Sequence, residues 1–194
     1  MTQFGFVLGN GKTRRQVDHT WLRQHGQLYV CNRAAQEMDY DVCVAVDKEV
    51  SMELQELGHV VYTRSNAMHT ANAKLIQRNN GWSSGPVAAT IAAMNGHSYI
   101  FLIGMDLISD TNRINNLYAD TKHYKTSDSP AVPHSNWVGQ IDTLMKDFPN
   151  IRFLHVNPLA GFTPEQWQRN ANCSIMTLEQ LKTMINNTNS ALEE

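Results

Sequence analysis

Short apolar runs recur along the chain, with polar or amphipathic stretches between them. They occupy Phe4–Leu8, residues 28–31, residues 42–46 and, more weakly, residues 60–62, then Tyr99–Ile103 and Arg152–Val156. Each run is continuous rather than alternating, the pattern of strands buried on both faces. Such strands alternating with helical segments predict an α/β fold, Rossmann-like, with a mostly parallel sheet and helices on both faces. The first run is the most informative. Phe4-Gly5-Phe6-Val7-Leu8 stops at Gly9-Asn10-Gly11, and a polar, amphipathic segment follows. That order reads as a strand, a tight turn and a helix, the place where α/β proteins hold nucleotides and phosphates.

Several helix starts are legible. Ser83-Ser84-Gly85-Pro86 precedes a strongly apolar segment closed by Gly96. Pro86 suits a first helical turn, and Ser83 or Ser84 can cap it. Ser135 can cap a helix running to Asp147, and Thr177-Leu178-Glu179-Gln180 has the form of a capping box opening a C-terminal helix. Residues 187–194 read as frayed. One region breaks the alternation: residues 107–133 have few apolar anchors, many Asp, Asn, Ser and Thr, and two prolines near the end. A connection that long, directly after a strand's carboxyl end, predicts a lid within a single nucleotide-binding domain spanning residues 1–194.

Composition narrows the classes. The chain has 194 residues and a net charge of −2, with Lys and Arg scattered, so nothing points to nucleic acid as a partner. No stretch reads as a membrane span and the N-terminus lacks the form of a signal peptide. Cys31, Cys43 and Cys173 form no CxxC pair, and a reducing, cytoplasmic compartment is expected. No HxxxH or HExxH spacing occurs, so no metal site is expected. There is no GxSxG elbow. Gly11-Lys12-Thr13 has the ending of a Walker A loop, but Phe6 stands where its first glycine belongs.

The candidate site gathers at the predicted strand ends. Gly9, Asn10 and Gly11 fit a phosphate-contacting turn with Asn10 as donor, or an ordinary tight turn in which Asn and Gly tolerate positive φ. Arg14-Arg15 is the basic pair beside it. Asn32 can read a base or ribose, or cap the next helix. Asp47 can accept from a ribose hydroxyl, or cap the helix that follows. Ser83, Ser84 and Gly85 offer hydroxyls and free amides to an anion. Gly104-Met105-Asp106 ends the fifth run, and Asp106 can orient a substrate, brace the lid, or bond loop amides. His134 closes the lid and is the best candidate for proton transfer, since imidazole titrates near neutrality. His25, His59, His69 and His97 read as turn or loop residues. Tyr118 and Tyr124, in the lid, can donate to a departing phosphate or pack the lid down.

Taken in order, these motifs resemble the sialyltransferase-like proteins, glycosyltransferase family 42 and the wider DUF115-type group. The resemblance rests on Gly9-Asn10-Gly11-Lys12-Thr13, Cys31-Asn32, Ser83-Ser84-Gly85, Gly104-Met105-Asp106, Tyr118-Ala119-Asp120-Thr121-Lys122 and His134-Ser135, in the family's order. It implies a Rossmann-like domain with a small lid and metal-independent, inverting transfer from a CMP-sugar, or another nucleotide-sugar, to an acceptor hydroxyl, with no cofactor. It further implies that His134 is the general base, that Tyr118 and Tyr124 support the leaving phosphate, and that Gly9, Asn10, Gly11, Lys12, Asn32, Asp47, Ser83, Ser84, Gly85, Gly104 and Asp106 surround the donor. Lys12-Thr13 replaces the family's Pro-Ser, and Leu107 and Ile108 stand where its first lid tyrosine would be. Two alternatives are a DUF115-type pyrophosphokinase with Mg²⁺ on Asp47 and Asp106, and a nucleotide-binding module without turnover. Small transferases of this kind often form homo-oligomers, although no exposed apolar stripe marks an interface.

Overall fold

The computed structural model describes residues 3–190. Eight strands build one sheet: β1 Phe4–Leu8, β2 Gln27–Cys31, β3 Val42–Val44, β4 Val61–Thr63, β5 Ala73–Leu75, β6 Tyr99–Ile103, β7 Arg152–Val156 and β8 Cys173–Met176. Their order is β5-β4-β3-β2-β1-β6-β7-β8, and every ladder is parallel. The six apolar runs of the sequence all become strands. The two additions, β5 and β8, are the edges. Lys74 and Leu75 are exposed in one and Ile175 in the other, so neither carries a continuous apolar run.

The helices are α1 His19–His25, α2 Lys48–Glu56, α3 Ser84–Met94, α4 Ser135–Asp147, α5 Glu165–Gln168 and α6 Leu178–Ser190. Strand side chains alternate between the two faces. Val7, Tyr29, Val44, Ile100, Leu102 and Phe153 point to the face covered by α3, α4 and α5. Phe6, Leu8, Leu28, Val30, Phe101 and Ile103 point to the face covered by α1, α2 and α6. Helix α3 lies closest to the middle of the sheet, because Ala88, Ala89, Ala92 and Ala93 let its backbone approach; all four are buried. Helix α6 begins as the capping box requires: Thr177 N–H donates to Gln180 Oε1 (2.8 Å), and Gln180 N–H donates to Thr177 Oγ1 (3.2 Å). It continues to Ser190, so residues 187–190 are helical and not frayed, and residues 191–194 lie outside the described residues.

The expected helix after β1 is different. Residues Lys12–Gln16 form a 3-10 turn, and α1 starts only at His19, capped by Asp18, whose side chain accepts from Trp21 N–H (3.1 Å). The segment from 107 to 134 contains no helix or multi-residue strand, only turns and one antiparallel bridge between Arg113 and Pro130. Its buried anchors are Ile114 and Tyr118. Among the described residues no helix is long and apolar enough to cross a membrane.

Of the histidines expected in loops, His97 is deeply buried. Its imidazole meets Tyr29 Oη (2.7 Å), and Gly5 leaves room for it, since a Cβ there would stand 2.6 Å from His97 Cδ2. This polar cluster sits at the amino ends of the strands, away from the candidate site.

Candidate functional site

In a doubly wound sheet the crevice opens where strand order reverses, beyond the carboxyl ends of the strands flanking the switch. Here the switch lies between β1 and β6, which are neighbours with Leu8 opposite Ile103. A cavity of about 440 Å³ opens at that point. Gly9, Asn10 and Gly11 after β1, Asn32 after β2, Asp47 after β3, Ser83, Ser84 and Gly85 at the start of α3, and Gly104 and Asp106 after β6 all line it, with Tyr124 from the lid. Lys12, Tyr118 and His134 do not line it. The sequence reading missed Arg64, Asn115, Lys125 and Trp137, which do.

The Gly9 turn differs from expectation in its amides. Gly9 N–H donates to Ile103 O and Gly11 N–H to Gly104 O, both at 2.8 Å. Lys12 N–H donates to Asn115 Oδ1 (2.9 Å), and Thr13 N–H to Asp106 Oδ2 (3.2 Å). The chain's own carboxylate and a lid amide therefore fill the position where a phosphate was expected. Asp106 is buried and accepts in addition from Thr13 Oγ1 and from Asn115 Nδ2 (2.9 Å). It is a clamp that joins the β1 turn, the β6 turn and the lid, the bracing role among those its position allowed. Beyond it Ile108 N–H closes on Asp106 O (2.7 Å) around Leu107, whose φ is +62°. An i to i+2 bond around positive φ is a strained γ-turn, and it stands where the lid begins.

Arg14, of the basic pair beside the turn, is not part of the cavity wall. It is buried beneath the turn, where Nη2 donates to Glu37 Oε2 (2.9 Å) and Tyr118 Oη (2.8 Å), and Nη1 donates to Asn10 Oδ1 (3.1 Å). A guanidinium so occupied supports the turn and stands outside the cavity wall. Arg15 and Lys12 are exposed. Tyr118 is thus a lid anchor, its ring 5.5 Å from that of Tyr124. Tyr124 reaches the cavity wall. Its Oη is shut off from solvent and makes no hydrogen bond of ordinary geometry among the described residues, with the Arg33 backbone amide the polar group beside it. Burial pushes both phenols well above their usual range, against the nearby cations Arg14 and Arg33, so both stay protonated and can only donate or accept as neutral groups. Cys31, also on the wall, is pushed up to about 12 by burial and stays an inert thiol.

The serines do not cap α3. Ser83 Oγ accepts from Trp137 Nε1 (3.0 Å), while Ser84 Oγ donates to Asn32 Oδ1 (3.2 Å) and accepts from Val46 N–H (3.1 Å). The Ser84 bonds tie the ends of β2 and β3 to α3, and the Ser83 bond ties α4 to it. The amides of Ser84 and Gly85, like the first N–H groups of any helix, have no carbonyl of the helix to bond. Asn32 holds φ +55°, which explains an Asn at that strand end. Asp47 occupies the N-cap position of α2, yet its side chain makes no capping bond; the carboxylate is exposed at the cavity.

His134 precedes α4 without capping it, and its ring rests edge-on against Phe162 at 5.7 Å. It is not part of the cavity wall, although Val132 and Trp137, on either side of it in sequence, are. A different histidine shapes the cavity. His155 on β7 is buried, its Nε2 bonded to Met105 O (3.0 Å) and its Nδ1 to Thr163 Oγ1 (2.8 Å). A carbonyl can only accept, so Nε2 carries the proton and Nδ1 accepts.

The lid is latched on its outer side. His123 Nε2 lies 3.2 Å from Glu53 Oε2, and Glu53 receives both its oxygens' bonds from Arg33 Nη2 (3.0 and 3.1 Å). The Arg33 guanidinium in turn faces the Tyr124 ring at 5.7 Å. Glu53→Gln removes the carboxylate that Arg33 and His123 share. Amide hydrogen exchange across residues 117–126 is expected to rise several-fold, with a stability loss of about 1–2 kcal/mol. Unchanged exchange there would show that the latch carries nothing.

Fold and site together define a doubly wound α/β protein with a cavity at its switch point, bordered by the 107–133 segment. No protein-family model, curated protein or solved structure matches the chain.

Proposed function

We propose that this protein binds a nucleotide-sugar in the switch-point cavity and transfers the sugar to an acceptor hydroxyl, in the sialyltransferase-like manner. What supports the reading most is convergence. Gly9, Asn32, Ser84, Gly104 and Tyr124, chosen from separate stretches of sequence, meet at one crevice large enough for a nucleotide. In this reading the donor lies across the ends of β1, β2 and β3. The acceptor arrives at the rim, where His134 takes the proton from its hydroxyl. The oxygen attacks the anomeric carbon, the bond from that carbon to the phosphate oxygen breaks, and the nucleotide leaves with the electron pair. Tyr124 borders the donor as a protonated phenol, and its Oη, shut off from solvent here, meets the leaving phosphate only after a side-chain rotation. Tyr118 acts through Tyr124 and Arg14, as an anchor.

His134→Ala is expected to lower transfer by about a hundredfold to ten-thousandfold, with nucleotide affinity unchanged by calorimetry. Full activity in that variant would sink the assignment. Binding without turnover is the second reading, and one observation favours it: the His134 ring packs on Phe162 outside the cavity lining. Measurable CMP binding with no donor hydrolysis at high protein concentration decides for it. The pyrophosphokinase alternative relies on Asp47 and Asp106 as a ligand pair. Asp106 is committed to Thr13 and Asn115, and Asp47 alone has an open carboxylate at the cavity. Thermal shifts with CMP, CMP-sugars and ATP, with and without Mg²⁺, separate these readings, because a ligand of the folded state raises the midpoint.

A further inference from the structure

Arg64 follows β4 directly and belongs to none of the motifs the sequence singled out. It is half-buried and lines the switch-point cavity. Its Nε donates to Asn80 O (2.8 Å) and its Nη2 to Trp82 O (3.0 Å). Two bonds on one side of the fork fix the plane of the guanidinium. Both acceptors are neutral carbonyls, so the positive charge stays unbalanced. Arg14, Arg23, Arg33, Arg78 and Arg169 each pair with a carboxylate; Arg64 has no such partner among the described residues, and its Nη1 makes no hydrogen bond there. A pre-oriented, uncompensated arginine at a cavity wall fits an oxyanion.

The surroundings agree. The segment that Arg64 holds through Asn80 and Trp82 leads straight into α3, whose Ser84 and Gly85 amides open on the same cavity. Lys125 reaches the wall from the 107–133 segment, and the Tyr124 side chain lies beside it. The Gly9 turn, where an anion was expected, is filled by Asp106 and Asn115. The remaining free carboxylate of the wall, Asp47, repels an anion at its own position and suits ligand hydroxyls instead. We infer that Arg64, with the start of α3, is the oxyanion-recognising subsite of this cavity, taking a phosphate of the nucleotide or a carboxylate of an acidic sugar.

The inference rests on the cavity reading above, and the test separates the two. Wild type, Arg64→Gln and Arg64→Lys are titrated calorimetrically with cytidine, CMP, a CMP-linked acidic sugar and inorganic pyrophosphate. Arg64→Gln is expected to weaken the anion-bearing ligand by about tenfold to a hundredfold while cytidine affinity holds. Loss already seen with CMP names the phosphate as the source. Loss seen only with the acidic sugar conjugate names the carboxylate. Arg64→Lys, which keeps the charge without the fork, is expected to fall between, and it carries the test if the glutamine variant misfolds. Arg64-dependent pyrophosphate binding with no nucleotide binding would keep the subsite and sink the nucleotide-sugar function. Wild-type affinities for every anion in a folded Arg64→Gln, or no anion binding by the wild type, would overturn the inference.

Discussion

Gly11→Ala is expected to lower the unfolding free energy by about 3 kcal/mol and to abolish ligand binding at the cavity. A Cβ at residue 11 would stand 2.5 Å from the Asp106 carboxylate and 2.6 Å from the Gly104 carbonyl. Neither neighbour can yield cheaply. Gly104 O already accepts Gly11 N–H, and Asp106 is bonded to Thr13 and Asn115. The added methyl therefore pushes apart the two turns that form the cavity floor and breaks the clamp to the lid. Gly139→Ala is the control. That glycine lies inside α4 with nothing within 4 Å of its Cβ position, so alanine is expected to stabilise by about 0.5–1 kcal/mol. Urea unfolding of the two variants measures both effects. A Gly11→Ala midpoint equal to that of wild type would show that the turns are not coupled as described.

Stability is expected to fall by about 3 kcal/mol as pH drops from about 6.5 to about 4, through His155 alone. Burial pushes this imidazole down to about 4, opposed by its bond to the Met105 carbonyl and by the Asp106 charge. In the unfolded chain it titrates near 6.5, so within that window the unfolded state binds the extra proton. The contribution is whole above that range and is lost as pH falls through it. Protonation would also put a donor on Nδ1, where Thr163 now donates. Urea unfolding at a series of pH values, wild type against His155→Gln, isolates the term, since the other titrating groups are common to both. Parallel profiles for the two proteins would refute it. The same protonation bears on the cavity, because His155 holds the carbonyl of Met105, between Gly104 and Asp106.

Which parts of this molecule were legible depended on how local their causes are. Continuous apolar runs marked β1, β2, β3, β4, β6 and β7, since burial on both faces leaves no polar position to mislead. Edge strands β5 and β8 are half-exposed, and no continuous apolar run marks them. The Thr177–Gln180 box was legible because its donors and acceptors lie within one turn. Ser83 and Ser84 looked like caps by the same rule, and their hydroxyls went instead to Trp137, Asn32 and Val46, partners 54, 52 and 38 residues away.

The site divides along the same line. The sequence by itself determined the class of sheet, the strand ends where polar residues cluster, and the long irregular connection after the fifth run, because these follow from hydrophobic periodicity and turn chemistry within short windows. Only the tertiary structure decided the strand order that puts the reversal between β1 and β6, the filling of the Gly9 turn by Asp106 and Asn115, the burial of Arg14 against Glu37 and Tyr118, and the open guanidinium of Arg64. Each is a choice among partners distant along the chain. A carboxylate or an arginine reads the same in sequence whether its partner is a ligand or another part of the protein, and packing alone settles which donors remain unspent.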